Sequence, residues 1–160
     1  MTAATVARLY DLSDRLSRPL GSAILLVFRL YWGWQFFQTG LGKLRNPTRV
    51  VAFFTDLGIP LPAANAMFVS VLETAGGLLL FVGLFSPVIS FLLAADMAVA
   101  YLTAERASVL ALFSDPARFL GADPFFFLLA SLLILAFGPG AISLDALIRR
   151  RLPPVSPKRP

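Results

Sequence analysis

Three ionisable residues lie inside long apolar stretches of this chain, namely Arg29, Glu73 and Asp96. A charged side chain at the middle of a bilayer is costly, so it normally faces a bundle interior or a water-filled cavity and has a partner there. Counted from the ends of their apolar stretches, all three residues fall at a similar depth. We therefore expect one cation and two acids to meet as a buried cluster near the midplane of a membrane.

Two interpretations of this cluster are open. Arg29 and one carboxylate could form an ion pair that fixes which helices meet, without any chemistry. Alternatively, the second acid is left over unless Lys43 or a partner reaches it, and a spare buried acid can exchange protons near neutral pH. That property suits proton transfer to or from a quinone, or binding of a polar headgroup. Glu73 and Asp96 are then the predicted proton-handling residues, and the predicted ligand-binding residues are Arg29, Lys43, Gln35, Gln38 and Tyr101.

The composition indicates an integral membrane protein. The chain has 160 residues, of which 58% are hydrophobic and 14% charged, and its mean hydropathy is +0.78. Soluble domains are about 45–50% apolar and about 25% charged. A soluble globule of this composition would have too little polar surface, whereas a single membrane domain accounts for it.

The chain contains neither cysteine nor histidine. It therefore predicts no cysteine-ligated iron–sulfur cluster, and it lacks the commonest ligand of haem and zinc. We expect no metal site. If the protein takes part in electron transfer, the redox group is a diffusible organic cofactor such as a quinone or belongs to another subunit.

Four apolar segments are predicted to span the membrane as helices, which need about 20 mostly apolar residues each. Turn signals separate them, such as Ser86-Pro87 between the second and the third and Gly138-Pro139-Gly140 after the fourth. The predicted fold is an all-α integral membrane four-helix bundle. Two connectors, 48–57 and 105–120, mix apolar and charged residues and are expected to be short interfacial helices. The predicted spans are 20–44, 63–85, 87–104 and 121–138.

The two ends of the chain are predicted to lie in the cytoplasm. Residues 1–19 form a cytoplasmic segment, 141–152 a basic interfacial helix with Ser143 as its N-cap, and 153–160 a disordered tail. The termini carry eight Lys and Arg residues, against five in the first and third connectors. Because cytoplasmic flanks are enriched in Lys and Arg, both termini are assigned to the cytoplasmic side. The net charge of +5 indicates contact with anionic headgroups rather than nucleic acid.

Several short motifs occur in an order that resembles the DoxX/DoxD family of small four-helix membrane proteins. The first predicted helix contains Arg29-Leu-Tyr-Trp-Gly33 and Gly40-Leu-Gly-Lys43-Leu44, and the second contains Glu73-Thr-Ala-Gly76-Gly77. The chain closes with Gly138-Pro139-Gly140 and Ser143-Leu144-Asp145. Arg29, Lys43, Glu73 and Asp145 match recurrent polar positions of the family. Asp96 matches less clearly.

The resemblance implies a multi-pass protein of the bacterial or archaeal cytoplasmic membrane. Some relatives are the membrane subunit of a thiosulfate:quinone oxidoreductase, and others are thought to assemble with oxidative-stress partners. We therefore expect a subunit of an oxidoreductase system that binds quinone or a similar amphiphile at the charge cluster, with other subunits or further copies of itself as partners. The alternative is a non-catalytic anchor or assembly subunit of a larger membrane complex. An autonomous enzyme is disfavoured, because no convergent catalytic set is visible.

Overall fold

A computed structural model describes residues 3–152, which are helical or in short connections throughout, without strands. Within this range the helices are α1 (Ala3–Arg45), α2 (Pro47–Asp56), α3 (Pro62–Val82), α4 (Ser86–Thr103), α5 (Arg106–Leu110), α6 (Pro116–Leu120), α7 (Pro124–Phe137) and α8 (Leu144–Arg151). The predicted all-α class is confirmed. The predicted disordered tail, 153–160, lies outside the described residues.

The first helix is longer than the apolar stretch that marks it in the sequence. It has 43 residues and continues through Pro19 without a break. At 1.5 Å per residue its length is about 65 Å, roughly twice the thickness of a bilayer core. The described part of the predicted N-terminal segment, from Ala3 to Pro19, is thus the beginning of α1 rather than a separate element.

Glycines bring α1 and α3 into close antiparallel contact. A Cβ atom built on Gly33 would lie 2.7 Å from the amide nitrogen of Phe81, and one on Gly77 would lie 2.7 Å from the Gly33 carbonyl oxygen. Gly40, seven residues further along α1, faces Thr74 in the same way. Small residues permit such backbone contact between membrane helices. This contact fixes the register of α1 against α3, and with it the relative positions of Arg29, Lys43 and Glu73.

The other long helices complete a bundle around an apolar core. Helix α3 also packs on α4, α4 packs on α7, and α7 returns to α1. The core side chains are Phe36, Leu80, Leu93, Met97 and Ile134. Large apolar side chains also cover the outside, among them Trp34, Phe68, Val88, Phe91 and Phe126. An apolar exterior of this kind fits contact with lipid.

Two of the predicted spans are long and apolar enough to cross a bilayer by themselves. These are α3, with 21 residues, and α4, with 18. Helix α7 is apolar but has 14 residues, about 21 Å, and α1 is long but interrupted by charge. Four crossings therefore remain a prediction for this chain.

Candidate functional site

Arg29 does not join the two acids, so the predicted three-residue cluster is wrong in this respect. Its guanidinium is buried and donates to three backbone carbonyls: Nη1 to Pro139 at 2.6 Å, Nη2 to Ile142 at 2.6 Å and Nε to Phe81 at 3.3 Å. Arg29 thus lies beside the end of α3. Glu73 lies eight residues, or about 12 Å, further back along that helix. The predicted common depth of Arg29 and Glu73 is not found, because the register of α1 against α3 places Phe81 rather than Glu73 beside Arg29.

Asp145 completes a second set of contacts at the same end of the bundle. Its two carboxylate oxygens accept hydrogen bonds from the amides of Phe85, at 2.9 Å, and Ser86, at 2.8 Å, while its own amide donates to the Gly83 carbonyl at 2.9 Å. Phe85 precedes α4 with a left-handed φ of 51° and offers no side-chain cap, so Asp145 supplies the cap from a distant part of the chain. Ser143 caps α8 itself by accepting from the Ala146 amide, as the sequence predicts.

We call Arg29, Asp145 and the backbone groups that they bind the clasp. The clasp joins α1, the turn between α3 and α4, and the segment that follows α7. Gly83 is tightly enclosed in it, since a Cβ atom there would lie 2.6 Å from Arg29 Nη1 and 2.7 Å from the Cβ of Ser143. All three hydrogen bonds that the guanidinium makes within the described residues go to main-chain carbonyls. The geometry therefore gives Arg29 a structural role rather than the predicted ligand-binding one.

Lys43 takes the place that was predicted for Arg29. Its Nζ atom lies 2.6 Å from Oε1 of Glu73, whose side chain is 2% exposed. Asp96, from α4, interacts electrostatically with both groups. The predicted meeting of Glu73 and Asp96 is found, with a lysine as the cation. Lys43, Glu73 and Asp96 are called the carboxylate site below.

The carboxylate site has more hydrogen-bond acceptors than donors. Glu73 Oε2 and Asp96 Oδ2 are both buried, and neither has a hydrogen-bond partner among the described residues. Buried polar atoms are seldom left this way, because an unsatisfied acceptor carries its full desolvation cost. In formal charges the site holds one cation and two anions, so it can accommodate a proton or a hydrogen-bond donor.

A cavity of about 850 Å³ opens onto the carboxylate site. It lies at the end of the bundle away from the clasp, between the C-terminal parts of α1 and α4, the start of α3, and α2. Its polar lining includes Lys43, Glu73 and Asp96, with Arg49 from α2. The walls are mainly apolar and include Val50, Phe53, Phe54, Leu57, Ile59, Val69 and Met97. An apolar pocket with a few convergent polar groups is the usual form of a small-molecule site.

The other predicted ligand-binding residues lie elsewhere. Gln35 and Gln38 are on α1 but do not line the cavity, and Gln38 is exposed. Tyr101 is buried, donates its hydroxyl to the Phe119 carbonyl at 2.9 Å and stacks on the Phe119 ring. It therefore fixes α6 against α4. The structure brings Glu73 and Asp96 together as predicted, with Lys43 as their cation, and it places Arg29, both glutamines and Tyr101 away from them.

Sequence reasoning missed α2 as a wall of the cavity. It predicted an interfacial piece at 48–57 because apolar residues alternate there with Arg49 and Asp56. One signal was available: Thr39, Lys43 and Asn46 recur at helical spacing and extend the face of α1 that Lys43 occupies. This polar stripe at the end of an apolar helix lines the cavity.

Comparison with known proteins identifies the family. The family model of DoxX matches residues 24–106, which is more than half of the chain. The matched range contains Arg29, Lys43, Glu73 and Asp96 and ends before Asp145. No curated protein and no solved structure matches the chain at a significant level. The match extends over the helices that carry the carboxylate site and most of its cavity. This membrane protein therefore belongs to the DoxX family.

Proposed function

We propose that this protein binds a quinone, or a similar amphiphile with a polar head and an apolar body, as the membrane component of an oxidoreductase system. One observation carries the proposal: a mainly apolar cavity of about 850 Å³ has in its lining an ion pair between a half-buried lysine and a buried glutamate. Ligand pockets typically measure about 300–1,000 Å³, so the cavity has room for a substituted ring and part of a tail.

The residues of the cavity fit such a ligand. The rings of Phe53 and Phe54 and the side chains of Val69 and Met97 offer apolar contact to a flat ring or a tail. Lys43 can donate to an oxygen of the head, since an ammonium has three hydrogens and its recorded bond to Glu73 uses one. The buried oxygens Glu73 Oε2 and Asp96 Oδ2 can accept hydrogen bonds from a head that carries hydroxyl groups.

A bound quinone supplies two-electron, two-proton chemistry. The side chains of the carboxylate site contribute the proton part: Glu73 and Asp96 hold and release protons, and Lys43 compensates their charge. Buried carboxyl groups beside one another and beside a cation are commonly used in this way. Electrons come from a partner subunit in this proposal, because the chain has no cysteine or histidine with which to hold a metal redox centre.

Filling the cavity without disturbing the fold tests the proposal. A Cβ atom on Gly42 would meet nothing within 4 Å, and Gly42 lines the cavity. Gly21 is in the same helix and is equally open, but it does not line the cavity. The variants Gly42→Phe and Gly21→Phe are therefore a matched pair. Their affinities for a short-tailed benzoquinone can be compared by equilibrium dialysis of the purified protein in nanodiscs.

We expect Gly42→Phe to lose most of the binding and Gly21→Phe to keep it. Glu73→Gln should change the affinity for the benzoquinone, while Asp56→Asn, an identical kind of change at an exposed position of α2, should not. If the wild-type protein binds neither the benzoquinone nor the matching hydroquinone, or if Gly42→Phe binds as tightly as Gly21→Phe, the proposal is wrong. The alternative of a non-catalytic assembly subunit would then be preferred, and co-purified subunits identified by mass spectrometry would show its complex.

A further inference from the structure

The lining of the cavity has a shortage of free hydrogen-bond donors. The four neutral polar side chains at its wall each donate to a main-chain carbonyl: Thr39 to Gln35 and Phe36, Asn46 to Gly42, Asn65 to Pro60 and Thr103 to Val99. The hydroxyl hydrogens of Thr39 and Thr103 are thus occupied within their own helices, whereas each asparagine amide uses one of its two hydrogens. What remains at the carboxylate site is the ammonium of Lys43.

The same site has a surplus of acceptors. Glu73 is almost fully buried, and its Oε2 atom has no hydrogen-bond partner within residues 3–152. Asp96 Oδ2, from the neighbouring helix, likewise lacks one, although the two carboxyl groups are close enough to share a hydrogen bond when one of them is protonated. Lys43 already bonds the other oxygen of Glu73, at 2.6 Å. Arg49 is the other cationic side chain of the lining, but it is an exposed residue of α2.

A ligand complementary to this site brings hydrogens to it. A quinone carries two carbonyl oxygens, which are acceptors only, and it would leave Glu73 Oε2 and Asp96 Oδ2 as they are. A hydroquinone of the same skeleton carries two hydroxyl groups, and each can donate to a carboxylate. Hydrogen bonds to charged acceptors are among the stronger ones in proteins.

We infer that the cavity selects the hydroxyl-bearing, reduced form of its ligand over the oxidised form, with Glu73 and Asp96 as the residues that determine this selectivity. The inference rests on the proposed function and narrows it to a ligand class, an amphiphilic hydroquinone or a comparable aromatic alcohol. By linkage, a site that prefers the reduced form also favours reduction of the bound ligand. For a two-electron couple, a tenfold preference raises the midpoint potential by about 30 mV.

The test compares two ligands that differ in whether their ring oxygens carry hydrogen or methyl groups. An alkylhydroquinone and its dimethyl ether share ring and tail, but the ether has no donor. Both are titrated anaerobically into the wild-type protein in nanodiscs, together with the matching quinone. We expect the hydroquinone to bind roughly tenfold or more tightly than the ether and the quinone. In Glu73→Gln and Asp96→Asn, whose amides bring their own hydrogens, the three affinities should converge to within a few-fold. Asp56→Asn should retain the preference.

The outcomes separate this inference from the proposed function. Equal binding of all three ligands to the wild-type protein would overturn the inference and leave the proposed function standing. Such a result would indicate that a proton between the two carboxyl groups already satisfies both oxygens. A preference that survives unchanged in Glu73→Gln and Asp96→Asn would also overturn it. Absence of binding for every ligand would overturn the proposed function itself. The wild-type comparison needs no variant to fold.

Discussion

Replacement of Arg29 by methionine should destabilise the protein without removing its ligand site. The guanidinium makes three hydrogen bonds to main-chain carbonyls. Bonds to charged groups contribute about 1.5–3 kcal/mol. Taking about 2 kcal/mol for the buried bond to Pro139 and about 1 kcal/mol for each of the two part-buried bonds, we expect a loss of about 4 kcal/mol. Arg29→Lys keeps the charge but not the fork of donors, so it should recover less than half of this loss.

The free energy of unfolding is measured by denaturant titration in mixed micelles, followed by circular dichroism. Arg45→Met is the matched control, because Arg45 is exposed at the other end of α1. It should change stability by less than about 0.5 kcal/mol, as surface substitutions usually do. The folded Arg29→Met protein should bind a quinone or hydroquinone with wild-type affinity. Wild-type stability combined with lost binding would refute the structural assignment of Arg29 and restore the predicted ligand-binding role.

Two further substitutions test the packing. Asp145→Ala removes the cap of α4 and should cost about 1–2 kcal/mol in the same unfolding assay, with Asp145→Asn less harmful; equal stability of the alanine variant would show that the cap is dispensable. Gly77→Ala places a Cβ atom against the backbone of α1, so it should clearly lower the melting temperature in detergent. The Cβ atom of Gly42→Ala meets nothing within 4 Å, so this variant should leave the melting temperature unchanged or raise it. If the two alanine variants melt alike, the close approach of α1 and α3 is not needed.

The sequence predicted the faces of the helices well where side chains of distinctive size repeat. Glu73 shares a helical face with Ala66, Ser70, Gly77 and Leu80, and all five are buried as expected. Small residues at that spacing permit close packing, so the face that carries the acid had to turn inward. The cap at Ser143 was equally visible, because capping is local chemistry between neighbours in the chain.

The partners of Arg29 could not be predicted in the same way. They are carbonyls that lie 52, 110 and 113 positions later in the chain. A main-chain carbonyl is present at every residue, so nothing in the sequence distinguishes those that Arg29 binds. The sequence also gives no register between neighbouring helices. In the structure, the glycine contacts between α1 and α3 set this register, which places Arg29 away from the acids and Lys43 beside Glu73.

The clasp and the carboxylate site differ in how far their hydrogen bonds depend on particular side chains. The clasp depends on main-chain oxygens at Pro139 and Ile142, so other side chains at these two positions would leave the oxygens in place. The bond between Lys43 and Glu73 joins two side chains, so a change in either one abolishes it. Arg29 and Lys43 are fourteen residues apart on α1, about 21 Å, so each can change without direct effect on the other. We therefore expect the proposed ligand chemistry to depend on Lys43, Glu73 and Asp96, and substitutions among these three to alter selectivity while the clasp maintains the arrangement of the helix ends.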